Sequence, residues 1–317
     1  MLKKTFLYFI IILSLFYFTL PTALACDTCL CSLSRPGGDQ KSGDKNHLLF
    51  FDFMMEGQDW NEKPADEAHE LHEAGHHVHD KTHEKFYHFS LRINPSEELT
   101  IFSEIPYVVR QSLEVEDEER LGEKETSEGI GDLHLTGIYR FLRKNNNFLG
   151  VVGGIKFPTG NTHEENSQHE RFEPELQPGT GSWDYTVGSF FQYELNPLVL
   201  NGNVLYTFKT KGDQAFEFGD LFSIYLYADY LIDPASAFNQ TKVGLDMNLQ
   251  VEDKQIDHGF KMKDGGGITL LLGPSLTMKA NDHISLFGNL LVPIYQNLGG
   301  VHQELDFVWN LGGKIAW

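Results

Sequence analysis

Beyond its first 25 residues this chain has no long apolar run, so no later segment is suited to cross a membrane as a helix. Cysteine is scarce. The three present, Cys26, Cys29 and Cys31, form one Cys-x2-Cys-x-Cys cluster, and no second Cys-x2-Cys is available to complete a zinc site. Basic charge is short too: 25 Lys and Arg face 45 acids, a net charge of -20, which argues against a nucleic-acid partner. No Gly-x-Ser-x-Gly elbow occurs. Gly265-Gly266-Gly267 opens a strand-like segment instead of a helix, so it is no phosphate cradle. Acidic runs such as Glu116 to Glu119 lie in loop-like stretches and read as solvated surface. These absences leave no catalytic residue to name, and the expectation is a protein that is not an enzyme.

What the chain does have is alternation. Leu305, Phe307, Trp309, Leu311, Gly313, Ile315 and Trp317 share one face, with Asp306, Val308, Asn310, Gly312, Lys314 and Ala316 on the other. That is a strand with an oily side and a mostly polar side. Ending on an aromatic residue, it resembles the closing strand of a bacterial outer-membrane barrel, where lipid-facing apolar and lumen-facing polar residues alternate. About twelve such segments follow one another from His47 on, each near the length that crosses a bilayer at a tilt. The clearest is Val243, Leu245, Met247, Leu249 and Val251 against Lys242, Gly244, Asp246, Asn248 and Gln250. The mean hydropathy of -0.30 does not contradict this, because half of every strand and all of the loops are polar.

Connection lengths carry an independent argument. They alternate long (61–84, 115–130, 160–181) and short (94–97, 144–147, 195–197), and the short ones hold turn residues such as Asn94-Pro95, Asn145-Asn146-Asn147 and Asn196-Pro197. Short periplasmic turns and long outer loops are the habit of outer-membrane barrels, and a soluble β-sandwich has no reason to sort its connections so. The reading is therefore an all-β chain: a transmembrane antiparallel up-and-down barrel of about twelve strands, in the outer membrane. Residues 1–25 read as a signal peptide, with Lys3 and Lys4 before an apolar run and Ala23-Leu24-Ala25 as the cleavage site. Residues 26–46 read as a Cys-containing arm and 47–317 as the barrel. Lipidation at Cys26 is an alternative processing route.

Three segments carry a family likeness: Gly129-Ile130-Gly131-Asp132, Gly153 to Gly160, and Gln177-Pro178-Gly179-Thr180-Gly181-Ser182-Trp183-Asp184. They resemble a family of Gram-negative barrels labelled as outer-membrane transporters or as proteins of the phenol meta-degradation pathway. The Cys-Asp-Thr-Cys-Leu-Cys opening is similar to the start of the Bacteroidetes-type members. The likeness implies an outer-membrane barrel and says little about substrate. The His-rich first loop departs from the pattern.

That loop, 65–84, holds His69, His72, His76, His77, His79 and His83. Five of them step by 3, 4, 3 and 4, which on a helix places His69, His72, His76, His79 and His83 on one face. Imidazoles so placed share a Zn, Cu or Ni ion, and thiolates at the Cys26, Cys29 and Cys31 spacing chelate a soft one. The plain alternatives are a solvated polar loop and a disulfide within the cysteine set. No cofactor is certain. The inward set Asp132, His134, Arg140, Asn203, Lys209, Asp229, Asp246 and Lys314 is expected to line the lumen and set selectivity by charge and size. The leading expectation is a channel or transport barrel whose partners are outer-membrane lipid and small solutes. A metal-capturing surface protein displaying the His loop is the second reading, and a barrel-embedded hydrolase the third.

Overall fold

The computed structural model describes residues 49–60, 79–117, 120–232, 241–262, 265–281, 283–299 and 304–317. Twelve staves close into an antiparallel barrel. They are β1 (Leu49–Trp60), β2 (His79–Ile93), β3 (Leu99–Asp117), the pair β4 (Arg120–Ile130) and β5 (Leu133–Lys144), β6 (Asn147–Phe157), β7 (Asp184–Glu194) and β8 (Leu198–Phe208), then β10 (Leu221–Leu231), β11 (Thr241–Glu252), β14 (Gly267–Lys279), β15 (Ile284–Leu298) and β16 (Leu305–Ala316). Three two-residue strands, β9 (Phe216–Glu217), β12 (Ile256–Asp257) and β13 (Phe260–Lys261), form a small sheet among the loops. Each stave pairs with its sequence neighbours, and β1 closes the ring on β16, with Phe50 opposite Ala316 and Glu56 opposite Asn310. Pairing β1 with β16 removes the edge that each would otherwise present, which is what permits strands to stand in lipid.

Period-two alternation decides which way each side chain faces. On β5, Leu135, Tyr139 and Phe141 face outward while Thr136, Ile138 and Arg140 face in. The outer surface is apolar over its whole circumference: Val187 is 50 % exposed, Leu245 51 % and Leu311 60 %, a surface that only lipid can cover. No described helix is long and apolar enough to cross a membrane. Aromatic side chains collect at both rims. Phe157 meets Trp183 at 5.1 Å and Tyr206 meets Phe208 at 4.6 Å at the loop end, and Tyr206 donates its hydroxyl to Asp220 at 2.9 Å. Tyr139, Tyr193, Tyr230 and Trp317 stand at the turn end. The short turns are built from local side-chain bonds. Asn281 accepts from the backbone of His283 and Ile284, both at 2.8 Å, and Asn145 takes the left-handed φ of 56° that Asn tolerates.

Three sequence expectations need correction. The stretch 115–130 is not a loop: 120–130 is β4, paired with the far half of β3, so this hairpin runs on past the stave ends. Its sequence, RLGEKETSEGI, carries no apolar face because it does not stand in lipid, and ladder hydrogen bonds alone define it as strand. The helical reading of the His-rich loop fails at its carboxyl end, since His79 to Glu84 are the first residues of β2. Finally, Leu305 faces inward with Leu271, Leu291 and Val308, not outward with the oily face of β16. A register shift opposite Asp59 and Trp60 inserts one residue and flips the side of everything before it.

Candidate functional site

The lumen wall is divided by chemistry. On one side, over β5 to β10, Ile138, Phe148, Val152, Phe190, Leu205 and Tyr225 form a buried apolar cluster. Across from it runs a polar ribbon at mid-height. His88 Nδ1 lies 3.2 Å from Glu104, and Ser90 donates to Glu104 at 3.0 Å. Gln58 donates to Glu56 at 2.7 Å. Ser275 and Asn289 both donate to Asp246, at 2.6 and 2.8 Å, and Asn310 donates to Asn289 at 2.9 Å. Buried acids held by several fixed polar neighbours are rigid, directional features of a wall.

At the loop end stands a knot built on the break between β4 and β5. Asp132 accepts the N–H of Gly160 at 2.8 Å, and the N–H and hydroxyl of Thr180 at 2.9 and 2.7 Å. Lys156 lies 2.6 Å from Asp184 and 3.5 Å from Asp132, and Lys209 lies 3.8 Å from Asp184. Three segments meet here backbone to backbone. A Cβ on Gly160 would stand 2.7 Å from the carbonyl carbon of Gly131 and 2.7 Å from the Cα of Gly179, so only glycine fits. Arg110 reaches from β3 to Glu84 at 2.6 Å and also donates to the carbonyl of Gln177, tying the loop 158–183 to the wall.

Above the knot, three loops interlock. Arg171 donates to Asp213 and to the carbonyl of Thr162, and the Thr162 hydroxyl donates to Asp213 at 2.7 Å. Gln214 donates to the carbonyl of Phe172 at 3.0 Å, and Gln255 to Glu175 at 2.7 Å. Phe172, Phe216 and Phe218 are buried beneath these bonds. The Thr162 hydroxyl, helped by the Gln214 N–H and Arg171 and opposed by burial, holds the Asp213 carboxyl down to about 2. Gln214 and Ala215 both adopt left-handed φ, 52° and 61°, which costs non-glycine residues about 1–2 kcal/mol apiece.

At the turn end the lumen turns basic and aromatic. Arg92 lies 2.9 Å from Asp52 and stacks 4.3 Å from the Phe102 centroid. Arg140 donates to the Thr100 hydroxyl at 3.0 Å and lies 5.6 Å from the Phe148 ring and 5.8 Å from that of Phe190. Lys314 lies 5.4 Å from the Phe50 ring.

Of the residues expected from sequence to line the lumen, Asp132, Arg140, Asn203, Lys209, Asp229, Asp246 and Lys314 are all buried on inward-facing positions. His134 stands opposite Glu104 and Lys156 in the ladder, half-buried. They do not form one constellation: Asp132 and Lys209 belong to the knot, Asp246 to the ribbon, and Arg140 and Lys314 to the basic end. Sequence reasoning missed Lys156, Asp184, Arg110 and Thr180, which complete the knot, and Arg92, which pairs with Asp52. All but Arg92 and Arg110 lie inside or beside the three glycine-rich segments, which was the signal available.

His83 is half-buried on the outward side of β2. His69, His72 and His76, and Cys26, Cys29 and Cys31, lie outside the described residues, as does the side chain of His79. Among the described residues no group of three His, Cys, Asp or Glu is placed to hold a metal ion.

The fold matches the crystal structure of the COG4313 outer membrane channel from Pseudomonas putida F1, with a TM-score of 0.65 and 17% identity over 89% of this chain and 99% of that one. The transport unit of the autotransporter AIDA-I from Escherichia coli matches at 0.47, with 10% identity over 89% and 93%. The CymD monoaromatic hydrocarbon channel matches at 0.43, with 8% identity over 86% and 89%. No curated protein matches the chain. The family model described as "Putative MetA-pathway of phenol degradation" matches residues 88–294, from mid-β2 into β15, so this outer-membrane β-barrel belongs to that family.

Proposed function

We propose that this barrel is an outer-membrane channel for small solutes that carries out no catalysis. The observation supporting it is a closed barrel whose inner wall holds ordered charged and amide side chains at every height while its outer wall is apolar. Such a wall selects by size and charge, and Asp132, His134, Arg140, Asn203, Lys209, Asp229, Asp246 and Lys314 are the side chains we assign to that selection. The three interlocked loops lie at the entrance, so entry depends on their displacement from the knot. Metal capture has no support among the described residues and is not proposed.

The test is solute flux. Full-length protein in liposomes should admit small neutral solutes, and a variant with Arg171→Ala and Asp213→Ala should admit them faster because the loop latch is gone. A folded, heat-modifiable barrel that passes no solute in either form would overturn the channel reading.

A further inference from the structure

We propose that the wall between β15 and β16 is a lateral opening, through which a small apolar solute passes from the lumen into the surrounding lipid, a route that rests on the channel reading above. The ladder of these two strands runs from Ile284 opposite Ile315 to Leu291 opposite Val308. There it stops, although β15 continues to Leu298 and β16 begins at Leu305. The outer parts of both strands stay paired on their other sides. β15 keeps β14 out to Leu298 opposite Gly267, and β16 keeps β1 out to Leu305 opposite Trp60. Above Leu291 and Val308 the wall is therefore two separate strand pairs with a seam between them.

The sequence accounts for the stop. Pro293 stands two residues past the last pair and has no N–H with which to continue the ladder. A register shift follows on β15, where Leu271 pairs with Pro293 but Leu270 with Tyr295. On β16, Asp306 is the extra residue between Leu305 and Phe307. Two strand ends shifted in this way do not return to a common register. Among the described residues one side chain bonds across the seam: Gln296 donates to the carbonyl of Leu305 at 2.9 Å and accepts the Leu305 N–H at 3.1 Å. Gln296 is thus a clip that takes the place of the missing rungs.

The seam is apolar on both sides of the wall. Leu291, Leu305 and Val308 stand on the lumen side, whereas Asn289 and Asn310, one pair lower on the same face, are polar. On the lipid side Leu290, Val292 and Ile294 are exposed. Leu291 is the eighth residue of β15, so the seam lies in the outer part of the roughly 9–11 residues that cross a bilayer. Rungs left unmade are costly there, because lipid supplies no water in their place, and a wall that had only to stand in lipid would complete its ladder. Parting the seam breaks one clip and exposes apolar side chains to lipid that already covers their neighbours. A charged or strongly hydrated molecule gains no polar partner on that path, which sets the solute class as small, uncharged and apolar.

The test follows N-phenylnaphthylamine, an uncharged apolar probe that fluoresces once in lipid, into intact Gram-negative cells expressing the full chain, beside glycerol flux in liposomes. Cells carrying the protein should take up the probe faster than cells without it. Gln296→Ala removes both clip bonds and should raise probe entry about tenfold, the scale of two neutral hydrogen bonds, with glycerol flux unchanged. Gln296→Glu still accepts the Leu305 N–H but donates nothing, and should fall between. Pro293→Val supplies the missing N–H and should slow the probe below the wild-type rate. Heat-modifiable migration identifies the folded variants. Equal probe entry with and without the protein, or a folded Gln296→Ala or Pro293→Val variant that admits the probe at the wild-type rate, overturns the opening. A joint rise of probe and glycerol in Gln296→Ala also overturns it, because the clip then acts on the lumen and not on the wall. Glycerol flux alone decides the channel reading, so either reading can fail without the other.

Discussion

Replacing Asp132 by Ala should undock the loop 158–183 from the barrel wall while leaving the barrel closed. Asp132 accepts three hydrogen bonds from Gly160 and Thr180 and lies 3.5 Å from Lys156. Hydrogen bonds to an ionised acceptor are worth about 1.5–3 kcal/mol each, but these three share one carboxylate and do not add. Taken together they should be worth about 3 kcal/mol, the upper figure for a single such bond, which shifts the docked-to-undocked ratio by roughly a hundredfold. Lys156 keeps Asp184 at 2.6 Å, so the change leaves no buried charge unpaired. The ladders of β5 with β3 and β6 do not pass through Asp132, so assembly should survive. Trypsin cleavage after Arg171 and Lys211 in intact outer membranes reports docking, and heat-modifiable migration reports the barrel. Cleavage should accelerate strongly while the folded band persists, and Asp132→Asn, which can still accept, should fall between. A folded Asp132→Ala variant cleaved at the wild-type rate would show that Asp132 does not hold the loop.

Acid should release the latch only at very low pH. Asp213 is depressed from 3.8 to about 2, so its contribution is complete above pH 3.8 and is lost as pH falls toward 2. Pepsin digestion across that window should show the loops opening in the wild type and no such dependence in Asp213→Asn. Ala215→Gly should relieve a φ of 61° and stabilise the loop cluster by about 1 kcal/mol, slowing loop proteolysis about fivefold. Unchanged or faster cleavage would mean the strain is not felt there. At the seam, Gly57→Val should impair assembly, since a Cβ at Gly57 meets the Trp309 indole at 2.2 Å. Gly153→Ala, with nothing within 4 Å of its Cβ, should give a normal yield of heat-modifiable barrel.

Period-two alternation and the sorting of turns from loops are local signals, and they determined most of this fold. Phe51, Val243 and Leu311 face outward because each strand has to be apolar on the lipid side, and one sequence suffices to read that. The three glycine-rich segments were visible too, but as strings without a purpose. Only tertiary structure brought Gly131, Gly160 and Gly179 into contact, because a three-way backbone approach depends on where two distant loops end. The same holds for Lys156 with Asp132 and Asp184, and for Arg92 with Asp52, which lie 40 residues apart on neighbouring strands. Where sequence misled, an environment differed from the rule assumed: β4 stands clear of lipid and needs no apolar face, and the extra residue at Asp306, just after Leu305, turned an outward residue inward. Alternation fixes the side on which a residue lies, whereas register fixes its neighbours, and register is set by pairing across the barrel.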